Sequence, residues 1–117
     1  MGLLDRFRKP RPSAAPDHSV IVHYSLSDEE FGSVEEREEV FALEDRLVAI
    51  IDKHGLGELD GNEFGAGEAV LHCYGPDADR LFTWIEGELR AFPARPAYAV
   101  LRYGPYDAQA AERRVEL

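Results

Sequence analysis

Two histidines, His23 and His72, have the residue types and positions that best suit chemistry in this chain. Each lies in an alternating run typical of a β-strand, and neighbouring strands would project both imidazoles from one sheet face. Two imidazoles alone do not make a metal centre, because zinc and nickel sites normally take three or four ligands. Tyr74 or a distant carboxylate would have to complete the set, so we predict no metal and no cofactor.

Cys73 follows His72 directly, yet we do not expect the two residues to form a nucleophilic pair. Successive strand residues point to opposite faces, so the sulfur would be buried in the core while the imidazole lies outside. The single cysteine allows no intrachain disulfide. Such cysteine usage is typical of a reducing compartment, so we predict a cytoplasmic location.

The carboxylates of residues 60–79 do not match a catalytic or calcium motif. Asp60 and Glu63 lack the acidic spacing of a calcium loop, and Asp77 and Asp79 suit the first turn of a helix. The chain has no serine nucleophile motif, phosphate-binding glycine loop or paired C-x-x-C ligands. We therefore predict no catalytic residues and no enzymatic activity.

The charge distribution divides the chain into a basic arm and an acidic domain. Residues 1–16 combine Asp5 with four basic residues, so the arm carries +3 of the total charge of −10 and residues 17–117 carry −13. A domain of this charge repels nucleic-acid phosphates, which argues against nucleic-acid binding and favours a basic protein partner. The length of 117 residues favours one domain over residues 17–117.

The arm is a short basic amphipathic segment followed by a Pro/Ala linker. Its apolar residues have helical spacing, but only nine residues precede Pro10, so the segment would order only against a surface. The sequence contains no apolar run of transmembrane length. We expect weak peripheral contact with an anionic membrane or an acidic partner through Leu3, Leu4, Phe7, Arg6, Arg8 and Lys9.

The pattern of residues 17–117 predicts the element order β-α-β-β-α-β. A capping-box sequence at Ser33 and Glu36 begins the first helix, Gly55 ends it, and Asp77 begins the second helix. Strands are predicted at 19–26, 57–63, 68–74 and 97–103. The predicted buried helix positions are Val40, Leu43, Leu47, Ile50 and Ile51 in the first helix and Leu81, Trp84, Ile85, Leu89 and Phe92 in the second.

Two parts of this pattern leave alternatives open. The hairpin could turn at residues 60–62 or at 65–67; we favour 65–67, with a bulge at 60–62, because residues 68–74 then form a full strand. Near the C-terminus, residues 109–114 could form a helical turn and 115–117 a short edge strand.

The element order predicts an α+β, ferredoxin-like split sandwich, in which an antiparallel sheet carries both helices on one face. Right-handed crossovers would place the first strand beside the third. The more apolar strand sides would then face the helices and leave the opposite sheet face uncovered. The candidate interaction face consists of Ile21, His23, Val70, His72, Tyr74, Tyr98 and Arg102.

Residues 57–89, with their D-G-N-E and Y-G-P-D-A-D segments, resemble a group of small uncharacterised bacterial proteins in which a similar hairpin leads into a similar helix. The resemblance implies a bacterial origin and this local fold. It implies no activity and no functional residue.

These observations favour a non-enzymatic protein-interaction module that uses the candidate interaction face to bind a second copy, as a homodimer, or a basic partner. Two other hypotheses remain. One is an acidic inhibitor of a basic toxin, comparable to immunity proteins, because charge steers such associations. The other is a small-ligand or metal sensor that uses His23 and His72.

Overall fold

The computed structural model describes residues 18–105 and 109–117, which form an α+β domain with a five-stranded antiparallel sheet and two helices. The arm contacts predicted for Leu3, Leu4, Phe7, Arg6, Arg8 and Lys9 lie outside the described residues. In the described part of the chain, neither helix is long and apolar enough to cross a membrane. The elements are β1 (His18–Ser25), α1 (Val34–His54), β2 (Glu58–Gly65), β3 (Glu68–Gly75), α2 (Ala78–Ala91), β4 (Ala97–Arg102) and β5 (Glu112–Glu116).

Strand β1 lies at the centre of the sheet, whose strand order is β2-β3-β1-β4-β5. It pairs antiparallel with β3 on one edge and with β4 on the other, so the first strand lies beside the third as predicted. Val20, Val22 and Tyr24 alternate along β1 and are fully buried against the helices. This alternation assigns one sheet face to the core and leaves the other for the candidate interaction face.

Strand β5 extends the predicted four-strand sheet. Residues 112–116 pair with β4, from Tyr98 opposite Glu116 to Arg102 opposite Glu112, so the helical turn expected at 109–114 is wrong. Pairing satisfies backbone groups on the outer edge of β4 that a helical turn would leave exposed. The sequence signal was poor because Val115 is the one apolar residue of β5, and the edge strand expected at 115–117 began three residues too late.

Helix α1 begins and ends as the sequence predicts. The Ser33 hydroxyl accepts a hydrogen bond from the Glu36 backbone amide, and the Glu36 carboxylate accepts one from the Ser33 amide, which completes the capping box. The same carboxylate accepts hydrogen bonds from the Ser27 hydroxyl and amide, and these contacts lower the pKa of Glu36. Gly55, in the left-handed conformation, caps the C-terminus.

Helix α2 has the predicted N-cap, Asp77, but one of its predicted core residues is wrong. Trp84 is 45% exposed, and its ring stacks on His54 at a centroid distance of 3.6 Å. Phe82 is buried instead, because it lies on the face shared by Ala78 and Ile85, whereas Trp84 is turned away from that face.

The β2–β3 hairpin confirms the turn favoured from the sequence. Ala66 and Gly67 form a two-residue connection with φ angles of 52° and 78°, and two positive φ values are characteristic of a type I′ turn. The register shifts between Leu59 and Gly61, so Asp60 forms the predicted bulge.

Gly57 is required where the chain enters β2. Its φ angle is 136°, and a Cβ atom added there would lie 1.9 Å from the carbonyl oxygen of Tyr74. Gly87 is the natural comparison, because a Cβ at this position in α2 would meet no atom within 4 Å.

We expect Gly57→Ala to lower the free energy of unfolding by about 3 kcal/mol or more, because backbone strain and a backbone clash occur together. Gly87→Ala should raise it by about 0.5–1 kcal/mol, because alanine favours the helix. Urea unfolding followed by circular dichroism measures both changes. Equal effects of the two substitutions would contradict the close approach of Gly57 to β3.

Candidate functional site

The strand register places the seven residues of the candidate interaction face on the sheet face opposite the helices. Ile21 lies between His72 on β3 and Val100 on β4. His23 lies between Val70 and Tyr98 in the adjacent row. On the same face, Ser19 of β1 lies between Tyr74 on β3 and Arg102 on β4. This face is called the open face below; it consists of Ile21, His23, Val70, His72, Tyr74, Tyr98, Arg102 and two residues that the sequence reading missed, Val100 and Arg114.

His23 and His72 share the open face but occupy diagonal positions, at a separation of about 7–8 Å for such pairs. Each imidazole has its own carboxylate partner. The His23 Nδ1 atom lies 3.2 Å from Glu68 Oε1, and the His72 Nε2 atom lies 2.9 Å from Glu63 Oε1. Among residues 18–105 and 109–117, no group of three or more His, Cys, Asp or Glu residues could hold a metal ion. The geometry therefore favours separate His–Glu pairs.

A three-layer stack crosses the open face from β1 to β5. The His23 and Tyr98 rings are nearly parallel, at 9°, with centroids 4.5 Å apart. The Arg114 guanidinium carbon lies 3.6 Å from the Tyr98 ring centroid. Because β1 and β5 flank β4, histidine and arginine approach the phenol ring from opposite sides. Cation–π attraction and ring stacking therefore hold Tyr98 in one orientation.

Arg114 could have been found from the sequence only by recognising β5. Its position opposite Val100 follows from the β4–β5 pairing, and that strand has almost no apolar alternation. Its Nε atom also donates to Glu116 Oε2 at 2.6 Å. Charged residues thus occupy four of the five positions of β5, which is why the hydrophobic pattern did not reveal the strand.

Charge is distributed unevenly across the open face. Glu58, Glu63 and Glu68 lie on the β2–β3 side. The β4–β5 side carries Arg102, which pairs with Glu112, and Arg114, which pairs with Glu116. One side is therefore acidic and the other nearly neutral, with both guanidinium groups close to the apolar centre.

Cys73 lies on the core side of β3 and is fully buried, as predicted. Burial, with a smaller contribution from the negative charge of Glu44, raises the pKa of the Cys73 thiol to about 12. The thiol is therefore neutral at physiological pH, and the adjacent His72 points to the opposite face. A Cys–His nucleophilic pair is incompatible with this arrangement.

Three of the four acidic residues singled out between 60 and 79 make separate structural contacts. Asp77 accepts a hydrogen bond from the Arg80 amide as the N-cap of α2. Asp79 accepts one from the Tyr103 hydroxyl at 2.7 Å, and Glu63 contacts His72. Their carboxylates are not gathered into one acid–base site.

A cleft of about 180 Å³ lies away from the open face, beside the first turns of α1. It is smaller than the usual 300–1,000 Å³ of a small-molecule site, and both Glu36 oxygens already accept hydrogen bonds from Ser27 and Ser33. Its lining does not favour a ligand site; the lining residues are Leu26, Glu36, Glu39, Val40, Phe92, Pro93 and Ala94.

Comparisons with family models, with curated proteins and with solved structures give no match for this chain. The resemblance of residues 57–89 to small bacterial proteins stays a prediction. The chemistry of the described surface is therefore the basis for assigning a function.

We expect zinc or nickel ions to leave the melting temperature unchanged, because His23 and His72 are each engaged with their own glutamate and the described residues offer no group of three ligands. A ligand that binds the folded state raises its stability, so differential scanning fluorimetry with a molar excess of metal is a direct measurement. A rise that is abolished by His72→Asn would contradict this expectation.

Stability should fall at alkaline pH because the folded state holds the Cys73 proton more tightly than the unfolded chain. The thiol pKa rises from 9.0 to about 12 on folding, so this contribution is present below about pH 9 and is lost as the pH rises towards 12. Cys73→Ala should flatten the decline by up to about 1.4 kcal/mol per pH unit in this window. Urea unfolding at several pH values tests this; parallel curves for the two proteins would contradict it.

Proposed function

We propose that this chain is a protein-interaction module that associates with a second copy of itself through the open face. The observation that carries the proposal is the apolar centre of that face, where Ile21 lies between strands that carry Val70 and Val100. Tyr74 and Tyr98 add aromatic surface beside it. Both helices pack on the opposite side of the sheet, so these half-buried apolar side chains face away from the core, and apolar patches rimmed by polar residues are typical of interaction sites.

The uneven charge of the open face supports self-association with a defined orientation. A twofold axis parallel to β1 would place the acidic β2–β3 side of one copy over the β4–β5 side of the other. Arg102 and Arg114 lie on that second side and are paired with Glu112 and Glu116, so the acidic side of each copy faces a nearly neutral side of the other. A twofold axis perpendicular to the strands would instead oppose the two acidic sides, which costs energy.

The His23–Tyr98–Arg114 stack supports the same proposal. Tyrosine and arginine are enriched among residues that dominate binding energy at interfaces. Side chains that are already ordered lose less conformational entropy on association. The stack orders Tyr98 before any partner binds, since its ring contacts both His23 and Arg114.

We also propose that the domain is a ferredoxin-like unit extended by β5. Support comes from the order β2-β3-β1-β4, in which each helix connects two strands that are separated by one intervening strand. This arrangement leaves one sheet face uncovered by helices, which is the face that the proposed association uses.

We expect the wild-type chain to form a dimer and Ile21→Glu to be monomeric at the same concentration, because two unpaired carboxylates would be buried at the centre of the interface. Sedimentation equilibrium measures both states. Trp84→Glu is the matched control, since Trp84 is an exposed apolar residue on α2, and it should leave the dimer intact.

Circular dichroism must show that Ile21→Glu is folded. A wild-type chain that sediments as a monomer at about 0.5 mM would rule out self-association, because any dimer would then be weaker than millimolar affinity, or about −4 kcal/mol. Dissociation by Trp84→Glu but not by Ile21→Glu would place the interface on the helices instead.

A further inference from the structure

One flank of α1 exposes an apolar stripe that the described residues leave open to solvent. Val34, Phe41 and Val48 repeat every seven residues and are 56%, 46% and 38% exposed. Residues at this spacing lie along the same side of a helix. The stripe is called the α1 flank below. It is separate from the open face, because α1 covers the other side of the sheet.

Acidic residues border the α1 flank with the same spacing. Glu38, Asp45 and Asp52 are exposed and each follows a stripe residue by four positions, which places it on the adjacent row of the helix surface. The exposed alanines at 42 and 49 leave the surface shallow. An apolar stripe bordered by carboxylates suits a short basic amphipathic segment.

Aromatic residues widen the α1 flank towards the edge strand β2. The Phe41 ring meets the Phe64 ring edge-to-face at a centroid distance of 5.7 Å. Phe31, which is 56% exposed, lies close to Gly65 at the end of the same strand. The apolar area is therefore broader than one row of helix residues.

We propose that the α1 flank binds residues 1–9 of the chain's own basic arm. Leu3, Leu4 and Phe7 would cover the apolar stripe, and Arg6, Arg8 and Lys9 would approach the bordering carboxylates. The arm carries +3 and the domain −13, so the charges are complementary. A segment of this length gains order only against a surface, and the α1 flank supplies apolar and acidic groups together.

The linker is long enough for this contact within one molecule. Residues 10–17 span at most about 26–29 Å when extended. The arm joins β1 at His18, whose Nδ1 atom accepts a hydrogen bond from the Ala78 amide at the start of α2. Arg80, in the same turn, donates to the carbonyl of His54 at the end of α1. His18 therefore lies near the C-terminal end of α1. Val48 lies about 9 Å from that end along the helix axis.

Tethering favours the arm over other occupants of the α1 flank. A short linker whose length matches the distance to be spanned gives an attached segment an effective concentration of up to the millimolar range. A second copy that presented its own α1 flank would bring two rows of carboxylates together, which repel each other. The arm has the opposite charge and is covalently attached to the domain.

Trypsin cleavage of the full-length chain tests the proposal. Trypsin can cut after Arg6 and Arg8, whereas Lys9 and Arg11 precede prolines and resist cleavage. The reference is a synthetic peptide of residues 1–16. Cleavage follows the population of the undocked arm, so an arm that is docked nine-tenths of the time is cut about tenfold more slowly than the peptide.

Substitutions on the α1 flank should abolish this protection. Phe41→Ser removes the central apolar contact, and the combined Glu38→Gln, Asp45→Asn and Asp52→Asn variant removes the carboxylates without changing their shape. Each should bring the cleavage rate to within about twofold of the peptide. Trp84→Ser is the matched control, because Trp84 is 45% exposed and lies on α2, and it should retain protection.

Three results would overturn the proposal: a wild-type arm cut as fast as the peptide, protection that survives both α1-flank variants, and protection that disappears on hundredfold dilution. The last would assign the contact to a neighbouring molecule. Protection that is independent of concentration, retained in Trp84→Ser and lost in both α1-flank variants would establish docking within one chain.

Discussion

The register of β1 is the constraint on which the rest of the structure depends. Both edges of this strand are hydrogen-bonded, to β3 and to β4, so a shift by one residue would turn Val20 and Val22 to solvent and His23 into the core. Tyr24 holds the strand against α2, because its hydroxyl donates to the Leu89 carbonyl at 2.6 Å. Burial raises the pKa of Tyr24, which keeps this donor protonated.

The acidic residues act in two ways, according to where they lie. Some complete local structure: Glu36 and Asp77 satisfy amide groups at helix starts, where the helix dipole also favours negative charge. Others, such as Glu38 and Asp45, stay exposed and give the domain its surface charge. Two copies of the domain carry the same net negative charge and repel each other. A contact between copies is therefore favoured at a face that carries both positive and negative side chains. The open face meets that condition through Arg102 and Arg114.

Two surfaces with different chemistry thus lie on opposite layers of one small domain. The open face has an apolar centre, ordered rings and ion pairs at its border. The α1 flank has an apolar stripe bordered by carboxylates along one side, with Arg37 on the other. An architecture of this type is compatible with many functions, so these surfaces, and not the fold, carry the functional argument.

Much of the fold followed from local patterns in the sequence. The capping box at Ser33, the turn at 65–67 and the bulge at Asp60 each depend on a few neighbouring residues. Alternation along β1 and β3 assigned His23, His72 and Cys73 to the correct faces for the same reason. Side-chain direction in a strand is a local property with a period of two.

Other features required the tertiary structure because they join residues that are distant in the chain. Strand β5 has little apolar pattern and forms because the edge of β4 is available. The exposure of Trp84 reflects the direction in which α2 meets the sheet, which residue spacing alone did not predict. The diagonal placement of His23 and His72 and the approach of Arg114 to Tyr98 follow from register across several strands. The sequence by itself therefore determined which side chains share a face, and the pairing of strands decided which of them touch.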